Sequence, residues 1–165
     1  MEYIYFAYGS NLLFARLHAR CPSISKLGMG RLPQHRLSFN KPGGDNSGKC
    51  GIEVVDTAES VIGVLYKMNQ EDKLKLDRIE GKGHDYFEEE VVVHSESGPV
   101  DCFTYFPAHL DDERPPWDWY KRFVLEGAKQ NNFPPRYIEM IDAVEAVKDP
   151  DEKRRSENLA ILDKS

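Results

Sequence analysis

The spacing of apolar residues changes period at Pro116, and that change restricts the fold class more than any other feature of the chain. Before it, β-branched and aromatic residues gather in short runs at 3–8, 26–32, 36–40, 51–56, 61–68, 86–94 and 100–106. Turn-forming residues separate these runs, among them Pro33, the polar stretch 57–60 and Ser95-Glu96-Ser97-Gly98-Pro99, so each reads as a strand. After it, Trp117, Tyr120, Val124, Gly127 and Ala128 recur at helical spacing, and beyond Asn131-Asn132-Phe133-Pro134 the same spacing returns in Tyr137, Ile138, Ile141 and Val144. That is the period of two helices. Two shorter helical patterns lie among the strands: Asn11 is positioned to cap one carrying Leu13, Phe14, Leu17 and Ala19, and Asn69 to cap Gln70–Ile79, which stops at Gly81. Segregated rather than alternating elements define an α+β chain on a curved, largely antiparallel, barrel-like sheet. Residues 1–147 read as one domain and 148–165, mostly charged with only Leu159, Ile161 and Leu162 to bury, as a C-terminal tail, loosely held or forming a short helix.

Composition excludes several classes of function. A chain of 165 residues is long enough to bury a core without staples. With 28 acidic against 22 basic residues, a net charge of −6 and no basic stripe, neither nucleic acid nor an anionic membrane is an expected partner. Cys21, Cys50 and Cys102 are odd in number and far apart, and His18, His35, His84, His94 and His109 show no ligand spacing, so no disulfide framework and no metal site are expected. Tyr3 enters a strand without a basic leader and no apolar run approaches ~20 residues, which predicts a cytoplasmic protein. The acidic runs Glu88-Glu89-Glu90 and Asp111-Asp112-Glu113 read as solvated faces. Gly43-Gly44-Asp45-Asn46-Ser47-Gly48-Lys49-Cys50 fits the spacing of a phosphate-binding loop. It carries Cys50 where a metal-binding hydroxyl belongs and leads into a strand-like run instead of a helix, so it reads as a connection between strands.

Two segments carry the candidate chemistry. In Tyr5-Phe6-Ala7-Tyr8-Gly9-Ser10-Asn11-Leu12 a β-rich run ends in a small polar turn, which gathers backbone N–H groups at one point able to hold an anion or oxyanion. In Leu76-Asp77-Arg78-Ile79-Glu80-Gly81 an acid closes a helix. There it meets the negative end of the helix dipole, which disfavours its ionised form and suits a base. From pattern alone, the first segment is equally a buried strand with a tight turn, the second a surface acid before a stop, and Tyr137 a core aromatic at a helix start.

Together the two segments resemble the γ-glutamylcyclotransferase family, over about residues 3–146. The resemblance implies a small mixed, largely antiparallel β-barrel with peripheral helices. It implies closure of a γ-glutamyl group to 5-oxoproline with release of the attached amine, with no metal or other cofactor and in a homodimer. Carried over by position, Glu80 matches the family's acid/base, Tyr5, Phe6, Ala7, Tyr8, Gly9 and Ser10 its substrate-binding turn, and Tyr137 a substrate-contacting tyrosine. Many relatives have glycine where this chain has Cys50. Tyr8-Gly9-Ser10-Asn11-Leu12 resembles the branch acting on γ-glutamyl amino acids; a γ-glutamylamine-type enzyme and a non-enzymatic binding module on the same barrel are the alternatives.

Overall fold

The computed structural model describes residues 1–111 and 114–165. Among these, five strands close into a barrel in the order β1 (Glu2–Ala7), β5 (Ser60–Asn69), β2 (Ser25–Pro33), β6 (Tyr86–Ser95), β7 (Gly98–Pro107). The neighbouring pairs are antiparallel except for the closing contact, where β1 meets β7 in parallel at Tyr5 and Phe103. One parallel seam in an otherwise antiparallel barrel is the mixed architecture that the resemblance implies. The strands β3 (His35–Pro42) and β4 (Gly48–Val54) form a separate hairpin. Its turn holds Gly43–Ser47: Asp45 accepts from the backbone N–H and hydroxyl of Ser47 and from Lys49. The loop therefore joins two strands, as expected.

Five helices surround the barrel: α1 (Phe14–Arg20), α2 (Gln70–Ile79), α3 (Asp118–Gln130), α4 (Pro135–Asp142) and α5 (Glu152–Leu162). Asn69 caps α2 as the sequence predicts, its side chain accepting from the Asp72 N–H at 2.9 Å. The other expected cap is corrected. Asn11 lies buried inside a 3-10 turn, Ser10–Leu12, and Leu13 precedes α1 with no side-chain cap. Helix α3 presses on that turn at Gly127, where a Cβ would meet Leu12 and the Leu13 nitrogen within 2.7 Å. Only glycine permits the approach, and it fixes the exit from β1 against the helical layer. No helix among the described residues is long and apolar enough to cross a membrane.

Of the two readings of the C-terminal segment, the structure shows the short helix. Residues 152–162 form α5, which packs against α1 and α3. Asp149, fully buried, accepts from Arg154 Nε at 2.7 Å and Nη2 at 2.6 Å and from Trp119 Nε1 at 2.7 Å. Arg155 pairs with Asp118 on α3. The bonds from Arg154 hold the Asp149 carboxyl far below the usual carboxylate range despite its burial. Charges that resemble a solvated tail in one dimension are consumed by partners in three. The same holds for Glu88, which is paired with Lys73 and Lys82 instead of lying on a free acidic face. Asp112 and Glu113 of the second acidic run lie outside the described residues.

Candidate active site

The chain leaves the barrel at the end of β1 and turns sharply, with the Leu12 N–H donating to Gly9 O at 3.0 Å and the Leu13 N–H to Ser10 O at 3.3 Å. Gly9 lies against the hairpin strand β4. A Cβ there would stand 2.8 Å from that of Cys50, so the side chain at position 50 occupies space that a glycine would leave open. Helix α2 ends beside this turn. Glu80 donates its N–H to Leu76 O at 2.9 Å, and Gly81 follows in the left-handed region at φ 63°. Asn11 ties the two segments together, its Nδ2 donating to Glu80 Oε1 at 3.1 Å and to the Tyr5 hydroxyl at 3.2 Å.

These groups face a cavity of about 30 Å³ whose wall is rich in tyrosine. Tyr5, Tyr8, Gly9, Ser10, Asn11 and Glu80 form one side; Cys50, Tyr86, Tyr105 and Tyr120 complete it. Each ring is held through its hydroxyl. Tyr8 donates to Tyr105 O at 2.5 Å, Tyr86 donates to Cys50 O at 2.7 Å, Tyr105 donates to Asp77 at 2.6 Å, and Tyr120 accepts the Cys50 N–H at 2.9 Å. Burial pushes all five phenols upward, which leaves them neutral hydrogen-bonding groups. Ser10, Glu80, Tyr86 and Tyr120 also line an outer compartment of about 270 Å³, so Glu80 stands at the boundary between the two spaces.

Burial raises the Glu80 carboxyl above its ordinary pKa, and Arg20, Asn11, Arg16 and Lys41 offset only part of that rise. The sequence attributes the rise to the helix end, whereas loss of solvent is the larger cause. A carboxyl so placed changes protonation state more readily near neutrality than a solvated one, the property a proton-transfer group needs.

Among the residues nominated from sequence, Tyr5, Tyr8, Gly9, Ser10 and Glu80 converge on the cavity. Phe6 and Ala7 lie on the same strand but are fully buried in the barrel core, and Phe6 O accepts from the Thr104 hydroxyl at 2.8 Å. Tyr137 lies elsewhere: its hydroxyl accepts the Ile62 N–H at 3.2 Å and its ring packs edge-on to Phe133. Sequence reasoning missed Asn11, Tyr86, Tyr105 and Tyr120 as groups lining this cavity. The signal for Tyr120 was present, a polar-tipped aromatic within an apolar helical stripe, but the same stripe is what a core helix shows. Among the described residues, no group of three or more His, Cys, Asp or Glu is gathered in metal-binding geometry.

Residues 60–141 match the AIG2-like family. The chain is 36% identical over 150 residues to the γ-glutamylcyclotransferase of Homo sapiens and 35% identical over the same length to that of Bos taurus. Each alignment spans 87% of this chain and 79% of the relative. A solved γ-glutamyl cyclotransferase structure superposes with a TM-score of 0.86 at 31% identity, covering 100% of both chains.

Proposed function

The chain belongs to the γ-glutamylcyclotransferase family, and from that premise we propose that it cyclises γ-glutamyl amino acids and dipeptides to 5-oxoproline with Glu80 as the acid/base. The free α-amine of the γ-glutamyl group attacks its own γ-carbonyl. The new C–N bond closes the five-membered ring, the old one breaks, and the attached amino acid leaves as an amine. Both reactants belong to one molecule, so the protein's main task is to hold the reactive conformer, for which effective molarities of ~10⁵ M or more are attainable.

Glu80 takes the proton from the attacking nitrogen and returns it to the leaving nitrogen, so the step is balanced without a second base. Asn11 orients the carboxylate through its bond to Oε1. Backbone N–H groups at Gly9 and Ser10 edge the cavity and receive either the developing oxyanion or the substrate's α-carboxylate. Tyr5 and Tyr8 form the substrate wall, while Phe6 and Ala7 serve it indirectly by anchoring β1. Tyr137 has no part in this reading, because its hydroxyl is engaged on the barrel backbone.

One observation carries the proposal: a desolvated carboxyl with raised pKa shares a cavity with the Gly9-Ser10 turn and accepts a hydrogen bond from the Asn11 amide. The reading places the protein in the reducing cytoplasm, consistent with three free cysteines, and expects a homodimer, which light scattering tests. The decisive assay is 5-oxoproline release from γ-glutamyl amino acids, γ-glutamylamines and glutathione. Release from the first group supports the reading; ligand binding without release from any of them replaces the enzyme with a binding module.

A further inference from the structure

The outer compartment has a charge character opposite to that of the molecule. The chain carries −6 overall, yet Arg16, Arg20, Lys41 and Lys49 all line this one space. The two lysines have carboxylate partners: Lys41 pairs with Asp85 at 3.2 Å and Lys49 with Asp45 at 2.8 Å. The two arginines differ. Arg16 Nε donates to the Ser10 hydroxyl at 3.2 Å and its guanidinium lies 4.6 Å over the Phe123 ring, while Arg20 Nη1 reaches Asn11 Oδ1 at 3.5 Å. Among the described residues neither makes an ion pair. Burial and the neighbouring Arg20 pull Arg16 down to about 10, which still leaves it charged at neutral pH.

Glu80 lines both compartments, so the bond that breaks lies at their boundary and the two halves of the substrate lie on either side. The inner space, at about 30 Å³, is too small to enclose the glutamyl half, which therefore lies at its mouth against the Gly9-Ser10 turn while the leaving half extends into the outer compartment of about 270 Å³. Two guanidiniums without a carboxylate, facing the leaving half in a partly desolvated space, are donors awaiting an acceptor. Planar guanidinium forks match carboxylates in particular.

We propose that Arg16 and Arg20 are specificity-determining residues that bind carboxylates on the leaving half, so that turnover rises stepwise from an uncharged leaving amine to a neutral amino acid to an acidic one. The idea rests on the cyclotransferase reading and adds to it a preferred substrate class, γ-glutamyl dipeptides whose second residue is aspartate or glutamate. The gain falls mainly on KM, because these contacts are made in the bound substrate and kept through the reaction. Added salt weakens it, since attraction across a partly open compartment is screened.

The test compares kcat/KM for γ-glutamylaspartate, its isostere γ-glutamylasparagine and γ-glutamylethylamine, in the wild-type protein and in Arg16→Gln, Arg20→Gln and the charge-keeping Arg20→Lys. Folding of each variant is checked by thermal melting. The expected order in the wild type is aspartate, asparagine, ethylamine, with about tenfold between successive members. Arg20→Gln collapses the aspartate-to-asparagine ratio toward one, Arg20→Lys retains part of it, and rising salt erodes it in the wild-type protein. Equal rates on all three substrates with 5-oxoproline still released overturn the specificity proposal and leave the cyclotransferase reading intact. If the Gln variants lose the same factor on every substrate, the arginines act on the glutamyl half or on Glu80, whose pKa they lower, and the proposal is wrong. Release from no member of the series overturns both readings. Should Arg16→Gln fail to fold, the wild-type salt dependence and the Arg20 pair decide the matter.

Discussion

Two polar regions meet at the end of helix α2, each centred on a carboxyl and opposite in behaviour. On one, Lys73, Asp77, Lys82 and Glu88 satisfy one another: Lys73 bonds both Asp77 oxygens at 2.8 Å, Lys82 reaches Glu88 at 2.7 Å, and the Tyr105 hydroxyl completes Asp77 at 2.6 Å. Burial pushes Asp77 upward, but these bonds outweigh it and hold its pKa below the ordinary value. On the other, one helical turn further along, Glu80 accepts from an amide and makes no ion pair among the described residues, and although Arg20 and Arg16 act on it through space its pKa is raised. A fully paired carboxylate keeps its charge through neutral pH, whereas an incompletely paired, desolvated one changes protonation state closer to neutrality. The two acids are three positions apart in sequence. What separates them is the number of donors the tertiary structure brings to each.

Neutralising each acid in turn separates the two regions most strongly. Glu80→Gln keeps shape and hydrogen bonding but accepts no proton, so kcat falls by ~100-fold or more while substrate still binds. An activity close to wild type removes Glu80 from the mechanism. Asp77→Asn has the reverse profile: kcat changes by less than about threefold, but loss of charge-assisted bonds lowers stability by about 2 kcal/mol, or roughly 5 °C in Tm. Thermal melts and single-turnover rates measured on both variants test the division.

Acidity separates the two regions again, with opposite signs. The folded-state pKa of Glu80 lies above its unfolded value, so its carboxyl favours the fold most fully in the protonated form, at pH below that unfolded value, and this contribution is lost as pH rises through the folded pKa. Glu80→Gln therefore melts at or above the wild-type temperature near pH 7, and the difference disappears on acidification. Asp77 is depressed, so its stabilisation is present above the ordinary Asp pKa and is lost as pH falls through its folded value. For turnover, kcat/KM has an acidic limb set by Glu80, with its midpoint above the usual carboxylate range of about 4.3. A limb at the ordinary value shows that burial does not tune the base.

The smallest effects distinguish the two tyrosines. Tyr120→Phe leaves the Cys50 N–H without its acceptor at the cavity wall and lowers kcat/KM roughly fivefold through misplacement of that wall. Tyr137→Phe removes an acceptor from the Ile62 N–H, costs about 1 kcal/mol of stability, and leaves kinetics unchanged. Kinetic damage from Tyr137→Phe with an intact Tm returns that residue to the substrate site.

Much of this was legible in the sequence, for a physical reason: local chemistry specified it. Backbone propensity and apolar period set the strands and helices, so α2 runs over the predicted Gln70–Ile79, and the hairpin of β6 and β7 turns within Ser95-Glu96-Ser97-Gly98. The family motif at β1 and the Glu80-Gly81 helix end were likewise readable, because each is a contiguous run, and both reach one cavity. The sequence by itself also determined the −6 charge, and with it the acidic background against which the cationic compartment stands out. Only the tertiary structure decided how charges and hydroxyls are partnered. Residues 148–165 read equally as a loose tail or a short helix, and the pairing of Asp149 and Asp118 with Arg154 and Arg155 settles which; Asn11 reads as a cap, but its amide bonds Tyr5 and Glu80, the latter 69 positions away. Tyr137 and Tyr120 have the same side chain on neighbouring helices, and only the packing of α3 and α4 against the barrel points one hydroxyl at a strand backbone and places the other at the cavity. Period and propensity act over a few residues and survive in one dimension, whereas pairing and burial depend on groups brought together from distant parts of the chain and exist only once it has folded.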